Sequence, residues 1–168
     1  MRPAAVLQCL LAVCMTTACG FQLRGSADVP FHTIYVPLVS AGGIGLELKR
    51  NIQAGTSAKV VDEAKDAEAV MEFTQEVREK EILSLTGTGR VREFQLRYRV
   101  GFRVHNGKGL DFVPANTVTL VRDITFNDSD VLAKESEEQL LYRDMQSDMV
   151  QQIMRRLAVA KPAAEGKK

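Results

Sequence analysis

The chain has no tryptophan, two histidines and three cysteines, and Cys9, Cys14 and Cys19 all fall within its first 19 residues. Beyond Cys19 there is no second thiol for an intramolecular disulfide, a Cys-x-x-Cys redox site or a cysteine-rich zinc site. His32 and His105 stand far apart, and no carboxylate spacing singles out a metal-ligand set. Gly-x-Ser-x-Gly, His-Glu-x-x-His and P-loop patterns are missing. The reading is of a protein that is not an enzyme and takes no cofactor or metal. Charge of one sign is also lacking. The formal net charge is +1, and setting aside Arg2, the one charged residue of the first 18, leaves 21 basic against 21 acidic side chains. A nucleic-acid binder usually shows a domain pI above about 9, so nucleic acid is not an expected partner. Long apolar runs are missing too: Ala4 to Met15, interrupted by Gln8, falls short of the roughly 18–20 residues that span a bilayer.

That run has the length of a signal-peptide apolar region, preceded by Arg2 and followed by the small residues Thr17-Ala18. The cysteine directly after them points to a lipobox, although Thr16 stands where leucine is usual. Residues 1–18 are therefore expected to be a cleavable lipoprotein signal, with Cys19 as the lipid-attachment residue. Several acyl chains at one terminus suffice for stable anchoring without a spanning helix. Among lipoproteins of Gram-negative bacteria, Gly20 in place of aspartate favours the outer membrane.

The rest of the chain reads as a single α+β domain over 19–160 with a disordered tail at 161–168. Thr33–Val36 is a short strand closed by Pro37, a helix is expected over Ile44–Ala54 before Gly55, and Ala58–Val61 has the pattern of a second short strand. In the next strand, Val70–Val77, Met71, Phe73 and Val77 share one face, with Glu72, Thr74, Glu76 and Arg78 on the other. Thr86-Gly87-Thr88-Gly89 is turn chemistry. Phe94, Leu96, Tyr98, Val100, Phe102 and Val104 then alternate with polar residues, the mark of a long half-buried antiparallel strand. Asn106-Gly107 signals a tight hairpin, and Val118, Leu120 and Ile124 belong to the returning strand, with Pro114 at an edge or bulge position. Leu141, Met145, Met149, Ile153 and Leu157 recur every four residues along a helix over Val131–Val159, on the order of 40 Å long. The expected architecture is a two-layer sandwich, two helices packed on one face of a mainly antiparallel four-stranded sheet.

One feature outside the core pattern is a basic stripe. Arg97, Arg99, Arg103 and His105 share the polar face of the long strand, with Arg90 and Arg92 at its turn end. Cross-strand ion pairing with Glu72 and Glu76 explains it without any ligand, at about 0.2–1 kcal/mol per pair. A partner surface explains it equally, because the guanidinium fork suits carboxylate and phosphate.

The stretch Ala18-Cys19-Gly20-Phe21-Gln22-Leu23-Arg24-Gly25 resembles the opening of the lipopolysaccharide-assembly lipoprotein family LptE. Val29-Pro30, Arg92-Glu93-Phe94-Gln95, Leu132-Ala133-Lys134 and Ile153-Met154-Arg155-Arg156-Leu157 follow in the family's order. The resemblance implies an outer-membrane lipoprotein, lipid-anchored on the periplasmic side, that sits as a plug in the lumen of the LptD β-barrel and supports its assembly. The pair would insert lipopolysaccharide into the outer leaflet, with direct contact through basic residues. Lys134 matches one such position, and Arg90 and Arg92 are candidates by proximity. Arg97, Arg99 and Arg103 are then barrel-interface candidates, since the lumen of an outer-membrane barrel is polar. Two other classes stay open: another outer-membrane lipoprotein adaptor, such as a barrel-assembly or lipid-transport auxiliary subunit, and a periplasmic hydrolase.

Overall fold

A computed structural model describes residues 29–38 and 43–161. The expected signal segment, Cys19 and residues 162–168 lie outside the described residues. In chain order the elements are β1 (Thr33–Tyr35), α1 (Ile44–Gly55), β2 (Lys59–Val61), a single 3-10 turn (Ala64–Asp66), β3 (Ala69–Leu85), β4 (Val91–His105), β5 (Asp111–Thr125) and α2 (Val131–Ala158).

The two helices and the single open sheet agree with the expected α+β class, but the sheet has five strands, not four, and is mixed. Its order is β2-β1-β3-β4-β5. β1 lies parallel to both β2 and β3, while β3, β4 and β5 form an antiparallel meander. The fifth strand is β2, whose three residues pair with β1 from Thr33↔Lys59 to Tyr35↔Val61 after the α1 crossover. The short-strand pattern at Ala58–Val61 is thus found, but three residues carry no signal for which strand they join, and the four-stranded count left them out of the sheet. What holds β2 is backbone pairing reinforced by the Lys59 N–H donating to the His32 carbonyl at 2.8 Å.

The core lies between the sheet and the helices. Leu96, Tyr98, Val100, Phe102 and Val104 of β4 are all buried there, as the period-two alternation requires. Facing them are Met145, Met149, Val150, Ile153 and Leu157 of α2 together with Ile44, Leu48 and Ile52 of α1. Each of these side chains contributes roughly 1.5–3 kcal/mol through loss of contact with water. Polar contacts join the two helices at their rims: Gln146 and Ser147 of α2 donate to Glu47 of α1, both at 2.8 Å.

β3 departs most from its sequence reading. It runs 17 residues, well past Val77, and a β-bulge between Phe73 and Gln75 shifts its register against β4. An extra residue at a bulge reverses which residues face the core. Met71 and Phe73 accordingly face the helices, but beyond the bulge it is Glu76, Arg78 and Lys80 that do so, opposite Val100, Tyr98 and Leu96. Val77 is turned to the outer face opposite Arg99, which corrects the expected grouping of Val77 with Met71 and Phe73. Gly101 makes the bulge possible, because a Cβ there would lie 2.4 Å from Thr74 Oγ1 and 2.9 Å from Gln75 Cγ.

The turn at Asn106-Gly107 is also longer than the dipeptide suggested. Asn106 does not adopt a positive φ; Gly107 and Gly109 do, at 70° and 91°. The Asn106 side chain accepts from the Lys108 and Leu110 N–H groups, and its N–H donates to the Leu110 carbonyl at 2.9 Å. The outcome is a loop over 106–110 rather than a two-residue turn. Pro114 sits on the edge strand β5 beside a register shift between Phe102 and Val104, as its missing N–H favours.

Candidate functional site

Three surfaces gather the basic residues. The first is the outer face of the sheet, which no helix covers. Arg103 Nη2 meets Glu72 at 2.6 Å, Arg99 Nη2 meets Glu79 at 2.6 Å, and Arg97 Nη1 lies 3.3 Å from Glu81 and 3.6 Å from Glu79. His105 Nε2 lies 3.6 Å from Glu72, and its Nδ1 accepts from the Gly107 N–H at 3.0 Å. The expected cross-strand pairing is thus found for Glu72, whereas Glu76 lies on the opposite face and accepts from the Tyr98 hydroxyl at 2.7 Å. Glu79 and Glu81 take the place expected of Glu76. The result is a face of alternating fixed charges, polar but locally neutral.

The second surface is the end of the sandwich where the β3–β4 turn meets the start of α2. The turn, over 86–90, closes through the Thr86 N–H to the Arg90 carbonyl at 2.7 Å, with Gly89 at a φ of 79°. The chain leaving β5 binds to this turn's base: the Phe126 N–H donates to the Arg92 carbonyl at 2.8 Å, and the Phe126 ring packs edge-on against Phe94. Arg90 Nη1 lies 3.7 Å from Asp128, two residues before the α2 cap residue Asp130. Arg92 meets Glu93 at 3.2 Å. The Ser84 hydroxyl and the Arg92 guanidinium both donate to the Glu93 carboxylate and hold its pKa below the ordinary value. Lys134 Nζ donates to Thr125 Oγ1 at 3.1 Å and to Glu137 at 2.8 Å. The fold therefore brings Arg90, Arg92 and Lys134 to one end. Arg90 and Arg92 are well exposed, while the Lys134 side chain is only 21% exposed beside a small cleft lined by Phe94, Ile124 and Phe126. Ile82, Leu83 and Leu85 on the β3 tip and Leu132 on α2 are exposed at the same end.

The third surface lies on the helix side of the sheet, between α1 and α2. Strand alternation puts Arg78 on the outer polar face, but the bulge carries it to the helix side, where it stacks on Tyr98 and Tyr142 at 4.9 and 5.5 Å from the ring centroids. It shares a groove between α1 and α2 with Arg50 and Arg143. The one available signal was Gly101, since a glycine inside a strand marks a bulge or a close backbone approach. Among the described residues no group of three or more His, Cys, Asp or Glu is placed to hold a metal ion, and no helix is long and apolar enough to cross a membrane.

Comparison with known proteins rests on this same segment of the chain. The sequence model of the family described as "LptE: Lipopolysaccharide-assembly" matches residues 31–157, from the residue before His32 to the last buried leucine of α2. The chain belongs to the LptE family. Relatives include the LPS-assembly lipoprotein LptE of Pectobacterium atrosepticum, 27% identical over 161 residues, covering 94% of this chain and 86% of that protein. The LptE of Yersinia enterocolitica is 28% identical over 156 residues, covering 91% of this chain and 74% of that protein. Among solved structures, lipoprotein B of Nitrosomonas europaea is 43% identical with a TM-score of 0.69, covering 81% of this chain and 88% of that one. The rare lipoprotein B of Shewanella oneidensis is 25% identical with a TM-score of 0.64, covering 76% and 94%. The LptE resemblance drawn from scattered motifs thus extends to the whole folded region, β1 through α2.

Proposed function

We propose that this LptE-family chain is an outer-membrane lipoprotein, anchored through lipid on Cys19, that plugs and supports the LptD β-barrel and contacts lipopolysaccharide during its assembly at the outer leaflet. The observation that carries the reading is the end of the sandwich where exposed Arg90 and Arg92 and the partly shielded Lys134 stand beside exposed Ile82, Leu83, Leu85 and Leu132. A ligand that is phosphorylated at one end and acylated at the other matches both halves. Arginine forks pair with phosphate oxygens, and exposed aliphatic side chains gain about 25 cal/mol per Å² when covered. The outer face of Arg97, Arg99 and Arg103, with its charges already paired, suits contact with a polar lumen.

An Arg90→Asp, Lys134→Gln double variant tests the ligand half. Lipopolysaccharide binding should fall while co-purification with the barrel persists. Unchanged affinity at both low and moderate salt would leave Arg90 and Lys134 as ordinary surface charges. For the barrel half, extraction of the outer membrane in mild detergent should yield the chain together with LptD; recovery of the chain with another partner and without any barrel would reject it.

A further inference from the structure

We propose that the groove between α1 and α2, floored by the helix-side face of β3, is a second anion site, with Arg50, Arg78 and Arg143 as ligands for a phosphate group. Each arginine comes from a different element, and the groove they line has a volume of ≈ 570 Å³, within the usual range for small-molecule sites. The contrast with the outer face is what points to a ligand. There Arg97, Arg99 and Arg103 each meet a carboxylate within 4 Å. Among the described residues no carboxylate forms an ion pair with Arg50, Arg78 or Arg143.

Two acids belong to this environment, and both are engaged: Glu76, two residues from Arg78 on the same face of β3, accepts from the Tyr98 hydroxyl at 2.7 Å, and Glu47 lines the groove itself. Glu47 accepts from Gln146 Nε2 through one oxygen and from Ser147 Oγ through the other, both at 2.8 Å. Gln146 is turned so that its carbonyl oxygen accepts from Arg78 Nη2 at 2.7 Å. That bond and the rings of Tyr98 and Tyr142 hold the Arg78 guanidinium in place before any ligand arrives, which lowers the entropy lost on binding. Three guanidinium groups against the one Glu47 carboxylate leave the groove lining with net positive charge. A phosphate carrying up to two negative charges balances that excess and offers oxygens to planar guanidinium forks. Gly43, the N-cap residue of α1, also lines the groove, where the positive end of the helix dipole offsets part of the Glu47 charge in its first turn. The site is distinct from the Arg90–Lys134 end and stands or falls independently of it.

The test uses the full chain in a non-ionic detergent, with the arginine Nε–H resonances followed by NMR as inorganic phosphate and pyrophosphate are added against sodium chloride at matched ionic strength. Phosphate should shift Arg50, Arg78 and Arg143 and leave Arg97 and Arg99 in place. An Arg50→Gln, Arg143→Gln double variant, which keeps the clamped Arg78, should bind at least about tenfold more weakly, equivalent to ~1.4 kcal/mol, with Arg155→Gln as an unaffected control. A titration with short-chain phosphatidic acid in the same detergent, with phosphatidylcholine as the uncharged control, identifies the source. Saturation of the three arginine shifts at lower phosphatidic acid than inorganic phosphate, weakened in the double variant, assigns a lipid-borne phosphate, and saturation by the soluble anions alone assigns a free one. Shifts no larger than those from chloride, or equal phosphate affinity in the double variant, would overturn the proposal.

Discussion

Two glycines on α1 make opposite predictions from one helix. Gly45 is buried, and a Cβ built on it would lie 2.5 Å from the Pro37 carbonyl oxygen, a backbone atom on the segment leaving β1. Real Cβ contacts essentially never fall under 3.0 Å, so at least half an ångström of backbone movement is required. Gly55, at the other end, would place its Cβ 3.7 Å from Met154 Cε, an ordinary contact. Replacing glycine by alanine in a helix is favourable by roughly 0.8–1 kcal/mol on propensity alone. At Gly55 nothing opposes that gain, so Gly55→Ala should stabilise by about 0.4–1 kcal/mol. At Gly45 the overpacking cost of about 1–3 kcal/mol exceeds it, giving a net loss of up to about 2 kcal/mol. Urea titration followed by far-UV circular dichroism measures both, with the transition midpoint as the readout. A Gly45→Ala protein as stable as Gly55→Ala would refute the close approach of α1 to Pro37, and with it the seat that places Glu47 against Gln146.

Burial, then the hydrogen bond to Glu76, raises the pKa of the Tyr98 phenol well above its ordinary 10.0. The unfolded chain therefore ionises first, and stability that is complete below pH 10 should decline as pH rises past it, by up to about 1.4 kcal/mol per pH unit. Tyr98→Phe should flatten that slope, and an unchanged slope would remove Tyr98 as its source. Tyr142 is shifted in the same direction, chiefly by burial, and accounts for a residual slope. Met149→Ala empties a fully buried position on α2 and should cost about 2–5 kcal/mol in urea unfolding, whereas Leu132→Ala, on an exposed position, should stay within about 0.5 kcal/mol. Equal effects of the two would contradict the assigned faces of α2. Intact-mass analysis of membrane-extracted protein should find residues 1–18 removed and acyl chains on Cys19; an unmodified cysteine would reject the anchor.

The long elements were legible because their periodicity is strong and local. β4 buries five of the side chains its alternation singled out, and α2 runs Val131–Ala158 with Met145, Met149, Ile153 and Leu157 inward, as the four-residue spacing required. In both, one face is apolar and the other polar over many turns or pleats, so burial has a single solution. β3 had no such pattern beyond Phe73. Its residues from Thr74 to Glu81 are polar on both faces apart from Val77, so either parity was compatible with the amino acids.

Amino-acid order by itself determined the α+β class, the two helices, the long strand β4 and the family that the motifs resemble. Those features follow from short-range periodicity and from which side chains avoid water. Tertiary structure alone decided that β2 joins as a parallel edge strand, that Arg90 and Lys134 share one end, and that Arg78 turns from the outer face to the groove with Arg50 and Arg143. Each of these depends on contacts between residues distant in the chain. The bulge at Thr74–Gln75 shows why: its register is set by the space above Gly101, some 26 residues further along, and one inserted residue reverses the facing of the side chains from Gln75 to Ile82, up to the next register shift.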